Sequence, residues 1–302
     1  MCVFGFINVN KPPGPTSHDV VATVRRLLRS RGVPRKGPRS VKVGHAGTLD
    51  PFASGVLVIC VGPATRLASY VQDKPKRYLA EITLGATSTT DDVQGEISPC
   101  ESAQPPSQEA ITGLLPNFLG QIEQVPPAHS AVHIDGQRAY TLARQGEQVQ
   151  LAPRPVTIHN IELVRYAYPL LSLDVACGSG TYMRALARDI GAKLGIGGYC
   201  SALTRMQVGS FSLDEAVALE AIDLSRDVLS PLAALGKLPR VTAGPAAIGC
   251  LRNGNAIALD SPTDPGETAV LDEGGRLVAL GTVADDAVTF RPSKVFRDFN
   301  ED

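Results

Sequence analysis

The stretch Gly44-His45-Ala46-Gly47-Thr48-Leu49-Asp50-Pro51-Phe52-Ala53-Ser54-Gly55-Val56-Leu57 decides how this chain is read. Its glycine and alanine positions let the backbone come close to another chain segment or a bound molecule. A lone carboxylate, Asp50, stands in the middle, and the apolar run Val56 to Val61 follows at once. Pro51 excludes helical geometry at Asp50 and leaves it extended or in a turn. A carboxylate at the mouth of a buried strand is placed to act as a nucleophile. Asp-Pro is also an ordinary turn starter, so local chemistry alone leaves a structural turn open.

On the N-terminal side, residues 3–9 read as a short strand. Lys11-Pro12-Pro13-Gly14-Pro15-Thr16-Ser17 is a rigid turn delivering Thr16 or Ser17 as an N-cap. The helix that follows presents Val20, Val21, Val24, Leu27 and Leu28 at the 3.6-residue period. It runs into a basic stripe, Arg25 to Lys42, with eight Lys or Arg and no acid, broken into a loop by Gly32, Pro34, Gly37 and Pro38. Such a stripe can hold a polyanion even though the net charge is −1; a solvated basic loop is the plainer alternative.

On the C-terminal side, a buried strand over 55–61 leads into a helix carrying Ala64, Leu67, Ala68 and Val71, with Arg66 on its polar side. Residues 76–84 alternate, with Tyr78, Ala80, Ile82 and Leu84 on the core side, so they form a strand. A Thr/Asp-rich loop spans Gly85 to Gly95, and Ser107 caps a helix through Phe118. Residues 153–168 and 170–177 suggest a strand pair. After Gly178-Ser179-Gly180-Thr181-Tyr182, a helix opens with Arg184 in its first turn. A cation there opposes the helix dipole, which invites a specific anionic partner. From about Arg240 short strands alternate with turns, and the Asn253-Gly254 and Glu273-Gly274-Gly275 signals mark hairpins.

Four motifs carry a resemblance. The central stretch matches G-H-x-G-x-L-D-P-x-A-x-G-x-L at every fixed position and resembles the catalytic motif of the TruB-type bacterial tRNA pseudouridine synthases. K-P-x-G-x-T-S from Lys11 resembles that family's opening, G-T-Y-x-R its arginine motif, and Leu203 to Phe211 its third motif, L-x-R-x-x-x-G-x-F. The loop holding Ser88, Thr90, Asp92 and Gly95 also resembles the family's. A further pattern over Gln124 to Tyr140 keeps Ser130, Ala131, Gly136, Arg138 and Tyr140. It departs at His129, where tyrosine is usual, and at His133, where lysine is usual, which bears on RNA affinity more than on the reaction.

The resemblance implies an α+β pseudouridine-synthase fold, a mixed, mainly antiparallel sheet flanked by helices, over residues 1–238. A small β-barrel of the PUA type, an RNA-binding module, would occupy 239–302. It implies an isomerase converting uridine to pseudouridine in the TΨC loop of tRNA, at position 55, with Asp50, Tyr78 and Arg184 as catalytic residues. His45, Lys11, Arg66, Tyr182, Leu203 and Arg205 would contact substrate RNA. Asp50 would attack either ribose C1′ or uracil C6 of a flipped-out nucleotide. Arg184 beside it would lower its pKa. The implied partner is the tRNA T-arm, without guide RNA, and the implied protein is a cytoplasmic monomer. A tRNA-folding chaperone of the same fold is the alternative.

Composition agrees with a soluble intracellular protein. At 302 residues, 43% hydrophobic and 20% charged, the chain is globular and long enough for two domains. Cys2, Cys60, Cys100, Cys177, Cys200 and Cys250 are scattered without a C-x-x-C pair, which suggests buried thiols and neither zinc nor a disulfide framework. No signal peptide and no apolar run near the ~20 residues of a membrane span is present. Walker, H-E-x-x-H and Rossmann motifs are absent, and the five histidines are dispersed, so no metal or cofactor is expected; a redox-neutral isomerisation needs none.

Overall fold

The computed structural model describes residues 4–37, 40–101, 104–128, 133–134, 137–138 and 151–296. Its first element, β1 (Gly5–Lys11), is followed by α1 (Ser17–Ser30). Thr16 caps the helix in a capping box: its side chain accepts from Asp19 N, and the Asp19 carboxylate accepts from Thr16 N. The helix buries Val20, Val21, Val24 and Leu28, the face its period marks. β2 (Val43–His45) and β3 (Ser54–Val61) bracket the central motif.

The strands β4 (Lys76–Leu84), β5 (Ala86–Ser88), β6 (Ile97–Pro99), β7 (Gly120–Gln124), β8 (His133–Ile134), β9 (Gln137–Arg138), β10 (Arg154–Ala167), β11 (Leu170–Cys177), β12 (Gly198–Val208), β13 (Phe211–Ser212) and β14 (Val217–Ala218) follow. The main sheet has ten strands in the order β14-β1-β3-β12-β4-β11-β10-β7, with β13 added to β12 and β2 to β3. Most pairings are antiparallel; β1–β14 and β3–β12 are parallel. β5 and β6 form a separate hairpin, as do β8 and β9.

Proline shortens two expected helices. Pro63 opens a 3-10 turn over Gly62–Leu67, leaving only α2 (Ala68–Gln72) as α-helix. In the next, Ser107 caps α3 (Gln108–Leu114), and the segment Leu115–Phe118 tightens to 3-10 around Pro116, which has no N–H to donate. α4 (Met183–Lys193) lies between β11 and β12 in sequence.

β3 explains its own unbroken apolar run. Leu57, Ile59 and Val61 join the core under α1 and α4. Val56, Val58 and Cys60 join a second core on the other face, with Phe6, Leu67, Phe211 and, from the C-terminal part, Ala269, Leu280 and Phe296. A strand buried on both faces carries no alternation.

The C-terminal part is a five-stranded sheet in the order β15-β17-β18-β19-β16. It is built from β15 (Arg240–Thr242), α5 (Pro245–Arg252), β16 (Ile257–Ala258), β17 (Gly266–Leu271), β18 (Leu277–Val283) and β19 (Thr289–Val295). Glu273-Gly274-Gly275 does form a hairpin turn, between β17 and β18. Asn253-Gly254 does not. It ends α5, with Gly254 in the left-handed region at φ 80°, a helix C-terminus in place of the expected hairpin.

Gly55 is fixed by the sheet. Its φ is +100°, and an added Cβ would lie 2.3 Å from the Arg205 carbonyl oxygen on β12. Neither β3 nor β12 can retreat, since both are held on two sides. Gly55→Ala is therefore expected to destabilise the protein by about 2–4 kcal/mol from backbone strain and overpacking together. The midpoint of urea unfolding reads this, and an unchanged midpoint would contradict it.

Candidate active site

Asp50 lies in the loop between β2 and β3, and that loop is braced from beneath. Ser17, the first residue of α1, accepts from Leu49 N and donates to Leu49 O, both at 2.9 Å. Arg205 on β12 donates to the carbonyls of Val56 at 2.7 Å, Thr48 at 3.1 Å and Gly47 at 3.2 Å. Lys11, at the end of β1, donates to the carbonyls of Pro12 at 2.8 Å, Pro15 at 2.9 Å and Pro51 at 3.2 Å.

Both cations are thus committed to backbone oxygens, five of the six outside the strands, where no ladder supplies a donor. Lys11 and Arg205, expected to contact RNA, are both buried beneath the loop that carries Asp50. Burial lowers the Lys11 ammonium pKa to about 8, with Asp50 pulling it back up and Arg205 pushing it further down.

Arg184 sits in the first turn of α4 and meets Asp50 with two nitrogens, Nε to Oδ2 at 3.0 Å and Nη2 to Oδ1 at 3.3 Å. Its remaining nitrogen, Nη1, reaches Asp92 Oδ2 at 3.2 Å and the Thr90 carbonyl at 3.3 Å. Asp92 is buried and also accepts from Thr90 Oγ1 at 2.6 Å and Gln94 N at 2.9 Å. One guanidinium therefore serves two carboxylates, which offsets its unfavourable place at a helix N-terminus.

The Asp50 side chain is 31% exposed while Arg184 is 5% exposed, so the pair opens to solvent only on the aspartate side. Arg184 pulls the Asp50 pKa down, as expected, but burial raises it by more and Asp92 adds repulsion, so the net direction is upward. Desolvation outweighs a cation that is already shared.

Tyr78 on β4 is buried beside Arg205, its cross-strand partner, and burial raises its phenol pKa. Leu203, opposite Ala80, is buried on the same strand pair. His45 at the end of β2 is held toward the neutral form by burial and by Arg205, and its buried Nδ1 has no hydrogen-bond partner among the described residues.

Tyr182 is the N-cap of α4. Its side chain does not cap; Gln124 at the end of β7 instead accepts from Tyr182 N at 2.8 Å and donates to Tyr182 O at 3.1 Å. Gln124 and Asp92 are the residues whose parts sequence reasoning missed. Asp92 stood inside a recognised loop without a role, and the one signal for it was an Arg184 that needed more than one anion.

Arg66, expected to contact RNA, is exposed on the 3-10 turn after β3. It donates to the Val295 carbonyl at 2.6 Å and lies 5.0 Å from the Phe296 ring centroid, fastening the C-terminal sheet to the 3-10 turn after β3. In the basic stripe, Arg25 donates to the Val43 carbonyl and Arg31 pairs with Asp223. Arg26, Arg29, Arg35, Lys36 and Lys42 are exposed. His129, Ser130, Ala131, Gly136 and Tyr140 lie outside the described residues.

Among the described residues no His, Cys, Asp or Glu group is arranged to hold a metal ion, and no helix is long and apolar enough to cross a membrane.

Comparison with known proteins agrees with this architecture. The TruB family of pseudouridylate synthases (N-terminal domain) matches residues 35–183. A tRNA pseudouridine synthase B of Dehalococcoides mccartyi is 40% identical over 299 residues, covering 97% of this chain and 96% of its own. One from Arthrobacter sp. is 42% identical over 311 residues, covering 98% of each chain. Among solved structures, an H/ACA ribonucleoprotein bound to a substrate RNA containing 2′-deoxyuridine aligns with a TM-score of 0.71 at 24% identity, over 98% of this chain and 86% of that one. A Cbf5-Nop10-Gar1 complex aligns with the same TM-score at 25% identity, over 97% and 85%. The structural likenesses establish a shared fold, and identity near 40% along almost the whole length establishes more: this chain belongs to the TruB family of pseudouridylate synthases, and it is an isomerase.

Proposed function

We propose that this enzyme isomerises uridine to pseudouridine in the TΨC loop of tRNA, at position 55, with Asp50 as nucleophile and without a guide RNA. The observation that carries the reading is the Asp50 carboxylate, gripped by Arg184 at 3.0 Å and open on one side only. Near-complete mutual coverage with bacterial proteins named tRNA pseudouridine synthase B supports tRNA as substrate.

The target base cannot be reached inside a folded loop, so the nucleotide is flipped out, at a few kcal/mol. The Asp50 carboxylate then adds to ribose C1′ or uracil C6 and the C1′–N1 bond breaks. The detached uracil turns, C5 bonds to C1′, the bond to Asp50 breaks and returns the free carboxylate, N1 takes up a proton, and the C5 proton leaves as the ring regains its double bond, with no net oxidation. Arg184 orients the nucleophile throughout. Tyr78 lines the base pocket with Leu203 and relays the C5 proton. Neutral His45, with an unpartnered ring nitrogen, stacks where the base has left.

The exposed arginines and lysines of α1 and its following loop meet the phosphates, and recognition is of the loop's shape and backbone. Residues 239–302 act as a PUA-like RNA module on a catalytic domain of residues 1–238, and the protein works as a cytoplasmic monomer.

Asp50→Asn is expected to lower the single-turnover rate on a T-arm hairpin by about 10³-fold or more, with tRNA affinity retained. Pseudouridine made by the pure variant at the wild-type rate would overturn the mechanism. Wild type that binds tRNA and makes none would assign the protein to RNA folding instead.

Asp50 must be ionised to attack, and its pKa is raised by burial. The rate should therefore climb with pH through a midpoint above the ordinary carboxylate range and fall as Asp50 protonates below it. Asp92→Asn removes a neighbouring negative charge, so its acid limb should move to lower pH. A limb that stays in place, or moves up, would contradict the electrostatic reading.

A further inference from the structure

Arg188 lies one turn beyond Arg184 on α4 and has no part in the chemistry above. Its guanidinium is nonetheless fully engaged. Nη1 pairs with Asp91 Oδ2 at 2.8 Å, Nε with Asp189 Oδ1 at 2.9 Å, and Nη2 donates to the Val125 carbonyl at 2.9 Å. These partners belong to the loop joining β5 to β6, to α4 itself, and to the chain leaving β7.

Asp91 directly precedes Asp92, the carboxylate that shares Arg184 with Asp50. Consecutive side chains of an extended segment point to opposite sides. Asp91 instead has φ 60°, left-handed and costly for a residue with a Cβ, and both acids meet arginines of α4. Asp91 receives Arg188 and Asp92 receives Arg184, so successive acids meet basic residues four apart on one helix face.

The Asp91 carbonyl also accepts from Cys200 N on β12 at 3.0 Å, which anchors the strained residue to the main sheet. An exposed ion pair would count for little. This one has side chains only 31% and 16% exposed and joins three elements, and without it the largely covered Asp91 carboxylate keeps only the more distant attraction of Arg184.

The end of β7 is tied in twice. Gln124 fixes the backbone of Tyr182 just before α4, and Val125 binds Arg188 in the helix's second turn. α4 is therefore held at its first two turns.

We propose that Arg188, acting through Asp91, is a positioning residue that sets the separation of Arg184 from Asp50 and Asp92. This rests on Asp50 being the nucleophile. Loss of Arg188 frees Asp91 to turn toward water. Asp92 then shifts, and Arg184 follows it away from Asp50. The groups facing Asp50 are Arg184 from α4, Asp92 from the β5–β6 loop, Lys11 from β1, Tyr78 from β4, and Arg205 and Cys200 from β12. Of these, only Arg184 and Asp92 are coupled directly to the Arg188 contact.

The test is pseudouridine formation on a T-arm hairpin by wild type, Arg188→Ala, Arg188→Lys, Asp91→Ala, the Arg188→Ala/Asp91→Ala double variant and Asp50→Asn. Arg77→Ala, which breaks an exposed pair with Asp174, is the control and should match wild type. Arg188→Ala should lose about ten- to a hundred-fold in kcat with little change in KM. Its acid limb should move to higher pH as Arg184 withdraws from Asp50, and Arg188→Lys should recover part of both. The double variant should be no worse than the poorer single one.

A wild-type kcat and pH profile in Arg188→Ala overturns the proposal. So does a loss that tracks only the folded fraction by circular dichroism, with the acid limb in place. If Arg188→Ala does not fold, Arg188→Lys and Asp91→Ala carry the same test, and an unmoved limb in both overturns it. An inactive Asp50→Asn beside a wild-type-like Arg188→Ala rejects this inference alone, whereas an active Asp50→Asn rejects the nucleophile on which it rests.

Discussion

Arg184 is shared between two carboxylates, and much of the catalytic half is arranged around that fact. Placing one cation and two anions in a half-enclosed site is costly unless each is held by several partners. Asp92 is the fully committed acid, accepting from Thr90 and Gln94 as well as from Arg184. Asp50 is the partly committed one, facing solvent on one side. The asymmetry separates their duties: Asp92 anchors the guanidinium, and Asp50 keeps an accessible oxygen. Because the positive charge is divided, Asp50 is less stabilised as an anion than an aspartate with an arginine to itself. Such a carboxylate is more basic, and a more basic oxygen is a better nucleophile once ionised.

The other buried cations solve a different problem. A loop that must leave regular pairing to present Asp50 exposes a row of carbonyls to the protein interior. Lys11 and Arg205 supply six donor contacts to these and neighbouring oxygens. Their positions at the end of β1 and within β12 are where the sheet can reach beneath the loop. The motif residues that look most like phosphate ligands in the sequence are therefore its foundations. The positive surface open to RNA lies on α1 and the segment after it, where the basic side chains remain exposed.

What was legible in the sequence follows the strength of the periodic signal. β4 alternates without interruption and was readable to the residue, and α1 declared its buried face and narrowed its cap to Thr16 or Ser17, of which Thr16 caps. β12, the strand between β3 and β4, was not assigned, because bulges at Cys200/Ala202 and Arg205/Gln207 break its two-residue period. Asn253-Gly254 carries the same dipeptide signal whether it turns a hairpin or stops a helix, and only the helical residues before it decide. At the site, the Asp50–Arg184 pairing was legible from motif order, but the sign of the Asp50 pKa shift was not. A sequence names the charges that can meet; the desolvation that outweighs them depends on how closely β3, β12 and the β5–β6 loop close over the pair.

The two-sided burial of β3 also bears on what the C-terminal sheet does. Its Ala269, Leu280 and Phe296 pack on the core that holds Val56, Val58 and Cys60, while Phe4 stacks on Phe296 at 5.2 Å between ring centroids. Around this contact, Arg66 reaches the Val295 carbonyl, the Tyr70 hydroxyl donates to Glu267, and Lys294 lies over the Tyr70 ring. An apolar centre with a polar surround is the anatomy of a specific, packed interface. Asp50 is four residues before β3, so the strand that follows it is pressed by α1 and α4 on one face and by the C-terminal sheet on the other. Any contact made by that sheet is thereby referred, through this packed seam, to the strand that follows Asp50.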